Sequence, residues 1–495
     1  MTATALVTVA LLLGAAPAIA EVATWAQPVD VSVPGGYALE PQVVVDSTGR
    51  ATAVWYRSED GGTSIIQSST SVNGDDWTAP VDLTDPTPFE DAVGQQVAVD
   101  STGRATAVWN RYNGTDYVIE SRSSLSGDAW SNTVVLSAPG GTASAPQVVG
   151  DATGLATAVW TRSNGTNDIV QSSTSLNGGP WSTPVDVSAP GGDASFPQVT
   201  VDSTGRAIAI WQRNNGTTDI VQSSTSLNGG PWSTPVDVTA SPGFAAAPQV
   251  TVDSTGRAIA VWVLANGPRY IIQSSTSLNG GAWTAPVDVS SPVADAGLPQ
   301  VTVDATGLAT AVWQRAILLD LNDCSGICNN IIQSSTSLNG GPWSPPVDLS
   351  SPDSNAGQAQ VTVDSTGRAT AVWDRSNGGQ QIVESSSSVN AGEWSAPVVL
   401  SSSSGGASNA QVSADPTGHA VAVWVGFDGI GSLIQSSSTY GTAEPGSDQG
   451  ASTDTDVDVG LLVGVAGGLL LVIGAIVAAI VIPIVVTVRR RAKKG

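Results

Sequence analysis

Two series of polar side chains recur along this chain of 495 residues at regular spacing, and they are its first candidates for chemistry. Arg57, Arg111, Arg162, Arg213, Arg315 and Arg375 each stand two residues after a tryptophan. Gln42, Gln96, Gln147, Gln198, Gln249, Gln300, Gln360 and Gln411 each open a short apolar run such as QVTVD. A planar guanidinium fork suits a carboxylate or a sulfate, so the arginines could hold an acidic glycan. The plainer alternative pairs each Arg with an acid of its own or the next repeat. For the glutamines the plainer alternative is the capping of strand ends.

Other chemistry is poorly supplied. There is one histidine, His419, which argues against His-based acid–base catalysis. The two cysteines, Cys324 and Cys328, are too few for a Cys/His zinc cage; outside the cell they would close one small disulfide loop. An Asp in each D-x-T-G turn (Asp46, Asp202 and equivalents) offers one carboxylate, which suits turn capping better than Ca²⁺, so no metal and no cofactor is expected. The net charge is −24, and five of the eighteen basic residues crowd into the last seven positions. Such a surface repels phosphate backbones and excludes nucleic acid as a partner.

These residues are placed by a repeat. Aligned on D-x-T-G-x-A-x-A-[VI]-W, tryptophans fall at 55, 109, 160, 211, 262, 313, 373 and 424. A second series falls at 25, 77, 130, 181, 232, 283, 343 and 394, and the two account for all sixteen. Each copy reads as four strands: QVTVD (198–202), AIAIWQR (207–213), DIVQSSTS (219–226) and PVDVT (235–239). The D-S-T-G-R link suits a tight hairpin with Gly205 at positive φ, and Asn-Gly marks the next hairpin in most copies. Four-stranded units at a period near fifty predict an all-β propeller. A fourth-strand sequence, PVDVS (28–32), precedes the first copy, and the last copy stops after its third strand, LIQSSS (433–438). The expected fold is an eight-bladed ring closed by the N-terminal strand, with no open sheet edge.

The link between third and fourth strands, S-L-N-G-G-P-W (175–181 and 226–232), resembles the Asp-box of sialidase-type (BNR repeat) propellers. That motif reads S-x-D-x-G-x-T-W; here Asn177 replaces the Asp and one residue is missing before Trp181. The resemblance implies a propeller whose Asp-boxes are turns on the face opposite the active site. It also implies an arginine triad, a Tyr/Glu pair and an Asp acid. Tyr56 and Glu59, and Tyr117 and Glu120, are close in sequence, but neither pair has an identifiable acid. The chain is therefore expected to be a non-enzyme, with a sialidase-type glycosidase as the alternative.

In a propeller the second-to-third and fourth-to-first links share a face. Here those links vary from copy to copy while the others repeat, so recognition is expected there. The tryptophans, equivalent in every copy, are expected between blades rather than on a sugar. Asn113, Asn164 and Asn215 lie in N-G-T sequons and are candidate glycosylation sites. The sixth copy carries an insert (316–330) whose apolar lead either meets a partner or folds over the ring.

The two ends supply an address. Residues 1–20 read as a signal peptide ending in Ala18-Ile19-Ala20. The propeller is expected over 21–438, an acidic flexible stalk over 439–458, a transmembrane helix over 459–488 and a basic cytoplasmic tail over 489–495. Gly460, Gly464 and Gly468 make two GxxxG steps that could pair two such helices as a dimer. The sequence thus predicts a cell-surface module, or one secreted or wall-attached after tail processing, that offers its variable loops to an extracellular glycan or surface protein. A structural envelope or coat protein is the further alternative.

Overall fold

The computed structural model describes residues 23–440, apart from 60–61, 87–89, 128, 240–242, 318–328, 354, 377–378 and 403–404. The signal and membrane segments, the stalk past 440, the basic tail, the three glycines, Cys324 and Cys328 lie outside the described residues. Among those described, all regular structure is β, and no helix is long and apolar enough to cross a membrane.

One unit serves for the rest. Its strands run Ala194–Val201, Arg206–Asn214, Asp219–Leu227 and Val236–Asp237, each antiparallel to the one before. The first hairpin is set by Asp202, whose Oδ1 accepts the Thr204 N–H at 2.8 Å, the Thr204 hydroxyl at 2.6 Å and the Arg206 N–H at 3.0 Å. Gly205 follows at φ 80°, which a side chain would resist. The fourth strand is shorter than its sequence suggests. Pro235 has no N–H for the ladder, so pairing is confined to Gln222↔Asp237 and Ser223↔Val236, with one further bond from the Val238 N–H to the Val221 carbonyl at 2.8 Å.

The core lies between units. Ile208, Ile210, Val221 and Val238 of this unit pack with Ala245, Val250, Ala258, Ala260 and Trp262 of the next. Ala258, Ala260 and Trp262 alternate on one face of their strand, so two methyls leave room for each indole. Every second-strand tryptophan is fully buried, as expected of residues that seal one sheet to its neighbour. Trp262→Ala would leave a cavity costing ~3–5 kcal/mol. Urea melts should show a midpoint far below that of the unaltered chain; an unchanged midpoint would refute this packing role.

First strands contact first strands in succession around the chain, and Ala407–Ala414 packs on Tyr37–Val45, which returns the order to its start. The last unit has three strands in sequence, Ala407–Ala414, Ala420–Phe427 and Ser432–Ser438, and takes its fourth from Val29–Asp30. That strand pairs Val29↔Ser436 and Asp30↔Gln435. The fold runs two residues past Ser438: the Thr439 N–H donates to the Ala420 carbonyl at 2.9 Å, and the Tyr440 hydroxyl donates to Asp415.

Candidate functional site

Each first strand slips register once. In the unit above, Ser195 pairs with Gln212 and Gln198 with Ile210, so Phe196 and Pro197 together face one residue, Trp211. Such a bulge needs a left-handed residue, and the eight are Glu40, Gly94, Ala145, Phe196, Ala247, Leu298, Gln358 and Asn409, with φ between 49° and 66°. For the seven with a side chain this costs ~1–3 kcal/mol each. All seven are half-buried, so their side chains reach solvent. The surrounding sequence repeats, yet this row is chemically different in nearly every unit.

A second row adjoins it: Tyr56, Asn110, Thr161, Gln212, Val263, Gln314, Asp374 and Val425, each directly after the buried tryptophan. Read around the molecule, the rows divide. The last two units and the first two, which are consecutive, carry Gln358, Asp374, Asn409, Glu40, Tyr56 and Asn110. The middle four carry Ala145, Phe196, Ala247 and Leu298 on the bulges. The ionisable groups of both rows, Glu40, Tyr56 and Asp374, fall in one half of the inner rim, while the other half sets apolar bulges beside the uncharged Thr161, Gln212 and Gln314. A few convergent polar groups against an apolar wall is the usual composition of a small-molecule site.

Two acids on the polar half are perturbed. Burial raises the Glu40 carboxyl above the usual carboxylate range. Tyr56 is raised as well, first by burial and then by the charge of Glu40, which places the two groups within electrostatic reach. A carboxylate and a phenol so arranged can pass a proton between them and a bound substrate. The backbone beneath is tied to the next unit, because the Gln95 amide donates to the Glu40 carbonyl.

Asp374 is the second acid. Its carboxylate accepts the Asn409 N–H at 2.8 Å and the Ala410 N–H at 3.4 Å, joining one unit to the bulge of the next. Burial outweighs both bonds and pushes its pKa up to about 7. The raised value means the folded state holds the proton more tightly than the unfolded chain. That contribution is complete below pH ~4 and is lost as pH climbs through 7. Asp374→Asn keeps a neutral acceptor and removes the ionisation. The variant is expected to melt with the unaltered chain at pH 5 and above it at pH 8.5, a difference of ~2–4 kcal/mol. A gap that does not widen with pH would refute a buried ionisation here.

The arginines do a different job from the one expected of a ligand clamp. Arg57, Arg162 and Arg213 are buried and give their guanidinium protons to backbone carbonyls: Val33 and Gly35; Ala138, Pro139 and Gly140; Ala189, Pro190 and Gly191. Each holds the preceding fourth-to-first link against the sheet. Arg111 pairs with Glu90 at 2.6 Å and Arg375 with Glu384 at 2.8 Å; Arg315 is half-buried. Acid pairing of this kind thus serves Arg111 and Arg375, while carbonyls, which repeat with the link itself, serve the three buried arginines. The glutamines also differ from expectation. Gln42, Gln96, Gln198, Gln249, Gln300 and Gln411 are buried, and Gln147 and Gln360 half-buried. The bulge turns the strand by one residue, so the residue two before each Gln takes the exposed place.

Of the tyrosine–glutamate pairs legible in sequence, neither forms. Glu59 is largely exposed and lies 3.7 Å from Arg57. Glu120 accepts the Trp109 indole N–H at 3.0 Å. The partner of Tyr56 is Glu40, sixteen positions upstream, whose only mark in sequence is its place before a Pro-Gln pair. Asn113, Asn164 and Asn215 stand exposed at turn tips, where each side-chain oxygen accepts N–H groups two and three residues on.

No protein-family model and no curated protein matches this chain. Solved structures do. One is a polysaccharide lyase, an ulvan lyase, at 9% identity and TM-score 0.46, covering 83% of this chain and 97% of the lyase. Another is an α-L-arabinofuranosidase of Fusarium graminearum, at 15% identity and TM-score 0.38, covering 63% and 98%. A third is the NanB sialidase from Streptococcus pneumoniae, at 12% identity and TM-score 0.34, covering 84% and 70%. The fold is propeller-like. The structures similar to it are mostly glycan-active enzymes, and this corrects the expectation of a non-enzyme.

Proposed function

We propose that the chain is a carbohydrate-active ring of eight blades, closed by its N-terminal strand, that works on an extracellular glycan at the polar half of its inner rim. Glu40 is the general base and Tyr56 the proton-carrying partner. The apolar bulges of the other half, with the half-buried Phe196 ring and Leu298, receive the C–H face of a sugar. The observation that carries this reading is the Glu40–Tyr56 pair: two raised protonation equilibria on adjoining strands, in a row that varies while its scaffold repeats. Signal segment, stalk and membrane segment would then hold the ring at the cell surface, or release it to the wall or medium after tail processing. Glycosylation of the three sequons would decorate the same face. The test is a panel of fluorogenic glycosides and uronate polysaccharides, assayed with the full chain, Glu40→Gln and Tyr56→Phe. Turnover that survives both substitutions would overturn the assignment.

A further inference from the structure

A second set of arginines closes the D-x-T-G turns, and three of them make no hydrogen bond among the described residues. Arg206 follows the turn set by Asp202 and reaches across to the next unit: a Cβ placed on Gly280 would meet its Cδ and Nη1 at 3.2 Å. Its Nε is buried 3.7 Å from the Asp202 carboxylate, beyond hydrogen-bond range, and has no other acceptor. Arg257 repeats the arrangement with Asp253, again at 3.7 Å, and with Gly340 of the following unit. Arg104 reaches Gly178 in the same way, its Nε also without an acceptor. Arg162 and Arg213 differ, since loop carbonyls receive their guanidinium protons.

Beside each of these forks the surface is apolar. Arg104, Arg206 and Arg257 pair across the sheet with Leu125, Leu227 and Leu278, and all three leucines are exposed. The link that carries Gly280 also carries the half-buried Trp283, whose indole N–H donates to the Ser223 hydroxyl of the unit before at 2.7 Å. A lone exposed leucine needs no account, but one that returns in the same place beside an unsatisfied arginine does. Charge narrows the ligand. The buried Asp202 lies under Arg206 and balances it, and a chain of net charge −24 repels polyanions. The fork therefore offers donors rather than net charge. Donors next to an apolar wall suit a molecule with hydroxyls at its edge and C–H groups on its face, which a neutral sugar ring combines.

We propose that the joints at Arg104, Arg206 and Arg257 each bind one uncharged sugar unit of a glycan, on the face opposite the Glu40–Tyr56 rim. The experiment labels the arginines of the full chain with nitrogen-15 and follows their Nε–H resonances by NMR. It titrates the chain with the methyl glycosides of glucose, galactose, mannose and N-acetylglucosamine, and separately with sodium sulfate. Arg104→Leu, Arg206→Leu and Arg257→Leu assign the three resonances. The fold accommodates that substitution, since Leu155 and Leu308 hold the same place after the turns of Asp151 and Asp304. At least one glycoside is expected to shift all three resonances along one saturable curve, at concentrations at least tenfold below those at which sulfate does so. Leu155→Arg should add a resonance that follows the same curve. Leu155 pairs with the exposed Leu176 and reaches Gly229, in the link that carries Trp232, so only the guanidinium is missing there. Three resonances that no glycoside shifts, sulfate acting at the same concentrations, or an added resonance that does not respond would each overturn the proposal. Turnover enters none of these readings, so this assignment and that of the rim fail separately.

Discussion

Removing residues 21–33 from the full chain is expected to lower its melting temperature by about 5–10 °C, or to send it into aggregates. The lost strand completes a sheet at the point where the ring meets itself. The Val31 N–H donates to the Ile434 carbonyl at 2.8 Å, the Ala26 N–H to the Ser438 carbonyl at 2.8 Å, and the Ile434 N–H to the Ser32 hydroxyl at 2.8 Å. Val31 is buried, and Trp25 packs on the cluster around Trp424. Several hydrogen bonds at ~1 kcal/mol each and two apolar side chains at ~2 kcal/mol each come to roughly 5–10 kcal/mol. For a ring of this length that converts to the stated shift. The strand Ser432–Ser438 would also be left as an open edge, able to pair with another chain. Differential scanning calorimetry on the truncated and full chains decides it, and coincident transitions would refute closure by this strand.

Glu40→Gln is expected to reduce turnover on a cleavable glycan by ~100-fold or more, with little change in melting temperature. The amide has the size of the carboxyl but cannot take a proton, and a positioned base contributes ~10²–10⁴ to a rate. Because burial raises the Glu40 pKa, the active, ionised form gains population only as pH rises past the ordinary carboxylate range, so the acid limb of the rate profile should sit high. Tyr56→Phe should flatten the other limb. A rate lost in Glu40→Gln through KM alone would indicate a binding group rather than a base.

The structural roles follow one pattern. Where a residue and its partner repeat together, the pair belongs to the scaffold. Arg162 and Arg213 repeat, and they hold loop carbonyls. The tryptophans repeat, and they seal one sheet to the next. Glu40 breaks the repeat, at a bulge, and that place carries the proposed chemistry.

The sequence by itself determined the strands, their grouping in fours and the fourth strand placed ahead of the first copy. The reason is local: alternating apolar residues, D-x-T-G turns and glycine at positive φ specify hairpins without help from distant parts. It also determined that the tryptophans lie between sheets, since side chains equivalent in every copy must meet equivalent surroundings. Only the tertiary structure decided which polar residues are free to act. A bulge displaces one residue in each first strand, burying Gln42 and half-exposing Glu40, and nothing in the pattern of Pro-Gln steps gives that register. It alone brought Tyr56 within electrostatic reach of Glu40: Leu39 pairs with Tyr56 across the sheet, and Glu40 follows it on the bulge.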